Sequence, residues 1–313
     1  LAFAPPIVNV GPAARQDRRR RSTPRPFSAR KVVAPMTDQP ASEPRRPTPG
    51  ELRAFRPDQA LLWYDYADLW LRGPLGRVLD FGCACGAYLR RLAGQAVELH
   101  GVDLDPERVA AAGAQPGITA RTVSPDGPVP YPDETFDTVV ILEVIEHVPD
   151  ERRLLKELAR VLKPGGRLLL TTPHRGWLTF LDPGNFKFLM PRLHRFIHTR
   201  LLRQRDYYEK RFGDARRRLG MYGDLDASDP WHRHYSGRDL CALAPPELRL
   251  EAWAAYYPGF RALWSLQLAV KVLTCGLVPR LPPPFPALHR WLSHRESRGG
   301  DQLVALFRKK PQS

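Results

Sequence analysis

A doubly wound α/β sheet, mostly parallel with an antiparallel last strand and helices on both faces, is the fold this 313-residue sequence predicts. Three observations predict it. Short apolar runs alternate with helical stretches from Arg77 to Thr172, the mark of a parallel sheet joined by crossover helices. The segments between them are short. The first apolar run also leads through a turn of small residues, Gly82 to Gly86, into a helical stretch. In such sheets the ligand lies at the carboxyl ends of the strands, near the point where strand order reverses.

The elements follow in order. Residues 1–50 are rich in Pro, Arg, Ser and Ala with no apolar periodicity, so they predict a disordered basic arm. Met36 is the expected start of the working chain. An organelle transit peptide is the competing reading of residues 1–35, because "RRRRSTPRPFSARKVVA" is rich in Arg and poor in acids. A single globular domain is expected over 51–313. "PDQALLWYDYADLWLRG" has helical apolar spacing up to Gly73-Pro74. Strands are then predicted at Arg77–Asp80, Val97–Asp103, Thr119–Val123, Thr138–Leu142 and Arg167–Thr172, with helices at Ala87–Ala93, Pro106–Ala112 and Glu151–Leu162. Two antiparallel strands, Leu248–Ala255 and Gln302–Phe307, complete the sheet. Lys163-Pro164-Gly165-Gly166 is expected to be a turn launching the fifth strand.

The net charge of +15 is concentrated: residues 1–50 carry a surplus of seven cations, residues 187–220 a surplus of eight, and the rest balances. Such an arm and stripe suit phosphates or an anionic membrane, or simply solvent. Four cysteines (Cys83, Cys85, Cys241, Cys275) in a chain of this length make no disulfide framework, and there is no second Cys pair for zinc. A reducing, cytoplasmic setting is expected, with peripheral membrane contact or an organelle as the alternatives.

The chemistry should lie in the first loop. Gly82, Ala84 and Gly86 let a ligand approach the backbone beside a helix N-terminus. Asp103, ending the next strand, is placed to accept hydrogen bonds from ribose hydroxyls. A dinucleotide fingerprint would have to read Gly82-x-Ala84-x-x-Ala87, a poor fit. The loop resembles instead the D-x-G-x-G-x-G motif of class I S-adenosylmethionine-dependent methyltransferases, with Asp80, Gly82, Ala84 and Gly86 in its positions and Ala for the middle glycine. A Cys after the first glycine is common there, so Cys83-x-Cys85 reads as incidental. "YPDETFDTVVILEVIEHVPD" and "LARVLKPGGRLLLTTP" extend the resemblance, over about 77–175, to the type 11 methyltransferases related to ubiquinone- and menaquinone-pathway enzymes.

The resemblance implies a Rossmann-like domain, S-adenosyl-L-methionine as cofactor, and in-line methyl transfer. It assigns the donor to Asp80, Gly82, Ala84, Gly86, Asp103, Leu104 and Glu143. Its adenine-binding acid falls at Pro125, leaving Asp126 one place late. His147 and His174 are the general-base candidates. Glu143, Glu146 and His147 have two readings: helix capping and cofactor orientation, or a divalent-metal site of the kind some O-methyltransferases carry. His194 and His198 are expected to pack or face solvent, and "WHRHYS" to enter the last sheet helix.

Substrate choice should lie in what is added to this core. Inserts are expected at about 176–234 and 258–298. Phe260–Val278 is apolar but interrupted by Arg261, Gln267 and Lys271, and is too flawed for a membrane span. A lid, a dimer face or an in-plane membrane helix acting with the basic stripe are its readings. The expected acceptor is a small lipophilic molecule methylated on oxygen. The alternative is RNA 2′-O-methylation through a metal at E-x-x-E-H.

Overall fold

The computed structural model describes residues 46–125, 127–182, 190–212, 233–274, 277–278 and 283–311. The arm with Met36, Asp126, Cys275 and the stripe residues 187–189 and 213–220 lie outside the described residues. Ala41–Ser313 form one compact unit.

Seven strands make one sheet in the order β3-β2-β1-β4-β5-β7-β6. They are β1 (Arg77–Phe81), β2 (Glu98–Asp103), β3 (Ile118–Thr122), β4 (Phe136–Leu142), β5 (Leu162–Pro173), β6 (Leu248–Pro258) and β7 (Gly300–Lys309). β1 to β5 pair in parallel, and β7 runs antiparallel between β5 and β6. Strand order reverses at β1, which has β2 on one side and β4 on the other.

The central strands bury both faces, so their sequences are runs of Val, Ile and Leu rather than alternating patterns. One face sends Val78, Val140, Leu169, Val304 and Leu306 into a core with Tyr66 and Trp70 of α2 (Trp63–Trp70) and Leu89 of α3 (Ala87–Arg91). The other sends Leu79, Val139, Ile141, Leu168, Leu170 and Phe307 against Leu155 and Leu158 of α5 (Glu151–Val161). Each such side chain contributes about 1.5–3 kcal/mol by leaving water. Between them, α4 (Pro106–Gly113) is capped by Asp105, whose side chain accepts the Glu107 N–H.

Three boundaries differ from the expectation. The helix expected over 57–73 is confined to α2, because the Asp65 carboxylate accepts the Leu62 N–H and starts the helix there. A separate helix, α1 (Pro49–Ala54), begins inside the segment expected to be disordered. Thr48 and Glu51 form a capping box, and Leu52 is buried. The Lys163–Gly166 segment lies within β5, with Gly165 at φ 75° and a register shift against β4 between Phe136 and Thr138.

Beyond β5 the chain forms α6 (Pro191–Phe196), continued by a π-helical turn (Ile197–Leu201), then α7 (Arg205–Phe212) and α8 (Gly237–Leu243). The second insert holds α9 (Phe260–Leu273) and α10 (Phe285–Ser293). None of the described helices is long and apolar enough to cross a membrane. An in-plane membrane helix at Phe260–Val278 would turn Arg261 to lipid headgroups, and the structure corrects this. α9 starts at Gly259 (φ 77°), directly after β6, so its first turn folds back over the strand ends. Arg261 is thereby buried against Asp301 and the His174 carbonyl.

Candidate active site

The β1–α3 loop has the tight backbone its residues permit. Gly82 sits at φ 85°, where a Cβ would come within 2.5 Å of Val144 Cγ2, so only glycine fits. Gly86 is at φ 76° and Ala84 at φ 45°. The left-handed conformation costs a non-glycine residue roughly 1–2 kcal/mol. At Ala84 that cost is offset by its N–H, which donates to Asp103 Oδ2 at 2.9 Å. Cys83 is buried, and its sulfur fills the space that a Cβ on Gly101 would occupy, at 2.6 Å. Burial pushes its thiol pKa well up. Cys85 is exposed, and both are free thiols, so the pair acts as packing and loop rather than as a clip.

Two buried carboxyl groups face this loop. Asp103 is anchored by the N–H groups of Ala84 and Asp105, leaving further acceptor capacity on both oxygens for hydroxyl donors. Leu104, next to it, is half-buried against the core. Asp80 is 3 % exposed, and its carboxyl group makes no hydrogen bond or ion pair among the described residues. Burial, and then the neighbouring Asp103 charge, push its pKa up to about 7. A buried acid without a cation fits a ligand that brings one, as the ammonium of an amino-acid-bearing nucleoside does.

The sign of the resulting pH dependence is fixed. The folded chain holds the Asp80 proton above the pH at which the unfolded chain has lost it, so this group's contribution to stability falls as pH rises from about 4 to about 7. A cationic ligand prefers the ionised form. Donor affinity is therefore expected to climb by up to about tenfold per unit between about pH 5 and pH 7. Asp80→Asn should flatten that limb. Calorimetric titrations across this range check it, and equal slopes in both proteins would remove Asp80 from the donor site.

The ends of β4 and β5 supply the next wall. Glu143, at φ 56°, accepts from Thr171 Oγ1 at 2.8 Å and from Gln302 Nε2 at 2.6 Å. Glu146 is buried and accepts from Thr172 Oγ1 at 3.0 Å. His147 ends a 3₁₀ turn (Ile145–His147), with its side chain 26 % exposed and Nε2 at 3.9 Å from Glu146. The two carboxylates are thus turned onto different threonines. No group of three or more His, Cys, Asp or Glu among the described residues could hold a metal ion. Glu143, Glu146 and His147 therefore do not converge as one ligand set in this arrangement.

His174 is placed differently from His147. It is buried, Nδ1–H donates to the Gly300 carbonyl at 2.8 Å, and burial lowers its pKa. Its backbone N–H donates to Asp301, and its carbonyl accepts from Arg261. These bonds tie the end of β5 to the start of β7. His194 and His198 lie far along the chain from this wall and pack with Tyr208.

Two residues of the wall are not marked in the sequence. Gln302 reaches Glu143 only because β7 inserts next to β5. Tyr64 of α2 stacks on Tyr88 at 5.3 Å, and its pKa is raised by burial and by the charges of Asp80 and Glu143. The aromatic cluster "LLWYDY" is the signal that could have pointed to it.

The methyltransferase-domain family matches residues 79–170. A ubiquinone biosynthesis O-methyltransferase of Xanthomonas oryzae pv. oryzae is 35% identical over 140 residues, covering 43% of this chain and 55% of that protein. A protein of Oryza sativa subsp. japonica named "Probable tocopherol O-methyltransferase, chloroplastic" is 37% identical over 102 residues, 30% of this chain and 28% of that one. The chain spans about half the length, or less, of these curated relatives. Among solved structures, an S-adenosylmethionine-dependent methyltransferase of Mesorhizobium loti aligns with a TM-score of 0.44 and 17% identity, covering 83% of this chain and 96% of that one.

Proposed function

We infer, from the match of residues 79–170 to the methyltransferase-domain family and the donor loop beside Asp80 and Asp103, that the chain transfers a methyl group from S-adenosylmethionine to the hydroxyl of a small lipophilic acceptor of quinol or chromanol type. The observation that carries donor binding is the pair of buried carboxyls, Asp80 and Asp103, around a loop held in left-handed conformations. The names of its relatives, which are O-methyltransferases of ubiquinone and tocopherol chemistry, support the acceptor class.

The donor, when bound, supplies an electrophilic methyl on a sulfonium. The work left to the protein is alignment and proton removal. Asp103 would take the ribose hydroxyls, and Asp80 the ammonium. Gly82 and Gly86 give the donor loop its left-handed turns, packed against Val144 and Ala112. Glu143, fixed by Thr171 and Gln302, holds the wall between donor and acceptor. His147, at the end of β4 with its ring partly open, would accept the hydroxyl proton as the methyl is transferred. Orientation of two bound reactants can itself lower the barrier by about 7–11 kcal/mol.

Asp103→Ala tests the donor half. It removes two charge-assisted acceptors and leaves the Ala84 and Asp105 N–H groups bare, so donor affinity should fall about tenfold or more. The acceptor half is tested with methyl-labelled donor, offered a prenylated catechol or hydroquinone in detergent and, separately, total RNA. Label is expected in the phenol ether, with chelator present or absent. Label in RNA alone would overturn the acceptor class, and unchanged donor binding by Asp103→Ala would overturn the site.

A further inference from the structure

The helical hairpin of the first insert has its own inner and outer faces. His194, Ile197 and His198 are turned inward with Tyr208 of α7, and all four are buried. Met190, Leu193 and Phe196, three residues apart on α6, are turned out and about half exposed, at 52%, 44% and 51%. Arginines flank this apolar stripe. Arg192, Arg195, Arg200 and Arg205 line a cleft of about 400 Å³ that also includes Phe196 and Glu209. Glu209 pairs with Arg195 at 3.0 Å. Arg192, Arg200 and Arg205 make no ion pair among the described residues. Among the residues lining the cleft, four guanidinium groups face the one carboxylate of Glu209, an excess of positive charge that favours an anion there.

The neighbouring side chains narrow the class of anion. A soluble phosphate would need only the guanidinium groups. A nucleic acid would use successive aromatic rings for stacking, and of the three stripe residues only Phe196 supplies one, beside the aliphatic Met190 and Leu193. A row of exposed aliphatic and aromatic side chains beside unpaired arginines is what a helix lying in the plane of a membrane presents: apolar groups at the acyl boundary, cations at the headgroup phosphates. The same insert also exposes Trp177 and Phe180, at 84% and 76%. Indole rings favour that interfacial depth.

We propose that α6 and its arginine cleft form a docking site for anionic phospholipid, so that this face, rather than α9, brings the protein to a bilayer. α9 is the weaker candidate. Its Arg261 and Leu263 are buried, and Ser265 donates to the Leu181 carbonyl at 2.9 Å, tying the helix to the first insert. The surface is also the one a lipophilic acceptor dissolved in the bilayer would meet first, but docking does not depend on methyl transfer.

The test is flotation of the full chain with vesicles of phosphatidylglycerol and phosphatidylcholine, and with phosphatidylcholine alone. Binding is expected to the anionic vesicles only, and to weaken as salt rises. Arg192→Gln with Arg200→Gln should weaken it roughly thirtyfold, since each cation near an anionic leaflet contributes about fivefold. Arg152→Gln with Lys156→Gln on α5 removes the same net charge and should change it little. Leu193→Ser with Phe196→Ser should weaken it as well. Donor affinity and melting temperature, unchanged in every variant, show that folding is intact. No flotation at low salt, equal loss in the α5 pair, or tighter binding to single-stranded RNA than to vesicles would each overturn the proposal.

Discussion

Replacing His147 with asparagine is expected to lower kcat by about 10²–10⁴-fold, the usual contribution of a positioned general base, while donor affinity stays as it was. The expectation rests on placement. The 3₁₀ turn after β4 buries Glu146 onto Thr172 and leaves the next side chain, His147, partly open at the strand end. An imidazole is the side chain best able to take a proton near neutral pH. Asparagine keeps the size and much of the hydrogen bonding but cannot accept the proton. Single-turnover methyl transfer measured against pH would show the loss, together with disappearance of the acid limb. A drop of less than about fivefold would leave orientation as the whole of catalysis at this site.

Arg261→Met should destabilise the fold by about 3–5 kcal/mol, the usual result of removing one member of a buried ion pair. Arg261 is 3 % exposed. Its Nη1 donates to Asp301 Oδ1 at 2.8 Å, its backbone N–H to Asp301 Oδ2 at 3.0 Å, and Nη2 to the His174 carbonyl at 3.0 Å. Asp182, bonded to His234 at 2.7 Å, completes the cluster at 3.9 Å from Arg261 Nε. Methionine fills the volume but strands the Asp301 charge, whose carboxyl pKa burial already raises. Protonation relieves that charge, so the loss should shrink as pH falls. Denaturant midpoints at two pH values check both parts. A loss under about 1 kcal/mol would mean that water reaches the cluster.

Local signals account for what the sequence showed. Strands β1 to β4 lie close to their predicted limits, the central ones because strands buried on both faces are continuous apolar runs, bounded by Gly, Pro and Asp. The donor loop was legible because a turn at positive φ must be written in glycine, or in the alanine that departs least from it. Gln302 and Arg261 were not legible. Their roles depend on which strands become neighbours, and a lone Gln or Arg gives no sign of what the sheet will bring to it. Arg261 misled further, since an Arg in an apolar helix reads as solvent- or headgroup-facing until its first turn is seen to fold under. α1 was missed for a different reason. Its capping box, Thr48 to Glu51, lies in a segment whose overall composition reads as disordered, and a six-residue helix is too short to show periodicity.

The order in which the chain is synthesised differs from its order in space. Of the described strands β7 is made after all the others, yet it lies inside the sheet, between β5 and β6. Until its ten residues leave the ribosome, β5 has an open edge and β6 has nothing to pair with. Gln302 and Asp301 arrive with it, so the Glu143 wall and the Arg261 cluster close only then. A nascent chain interrupted before β7 would expose an unpaired apolar strand, the kind of edge that recruits other chains. Synthesis arrested before β7 should therefore yield aggregate rather than a weakened enzyme.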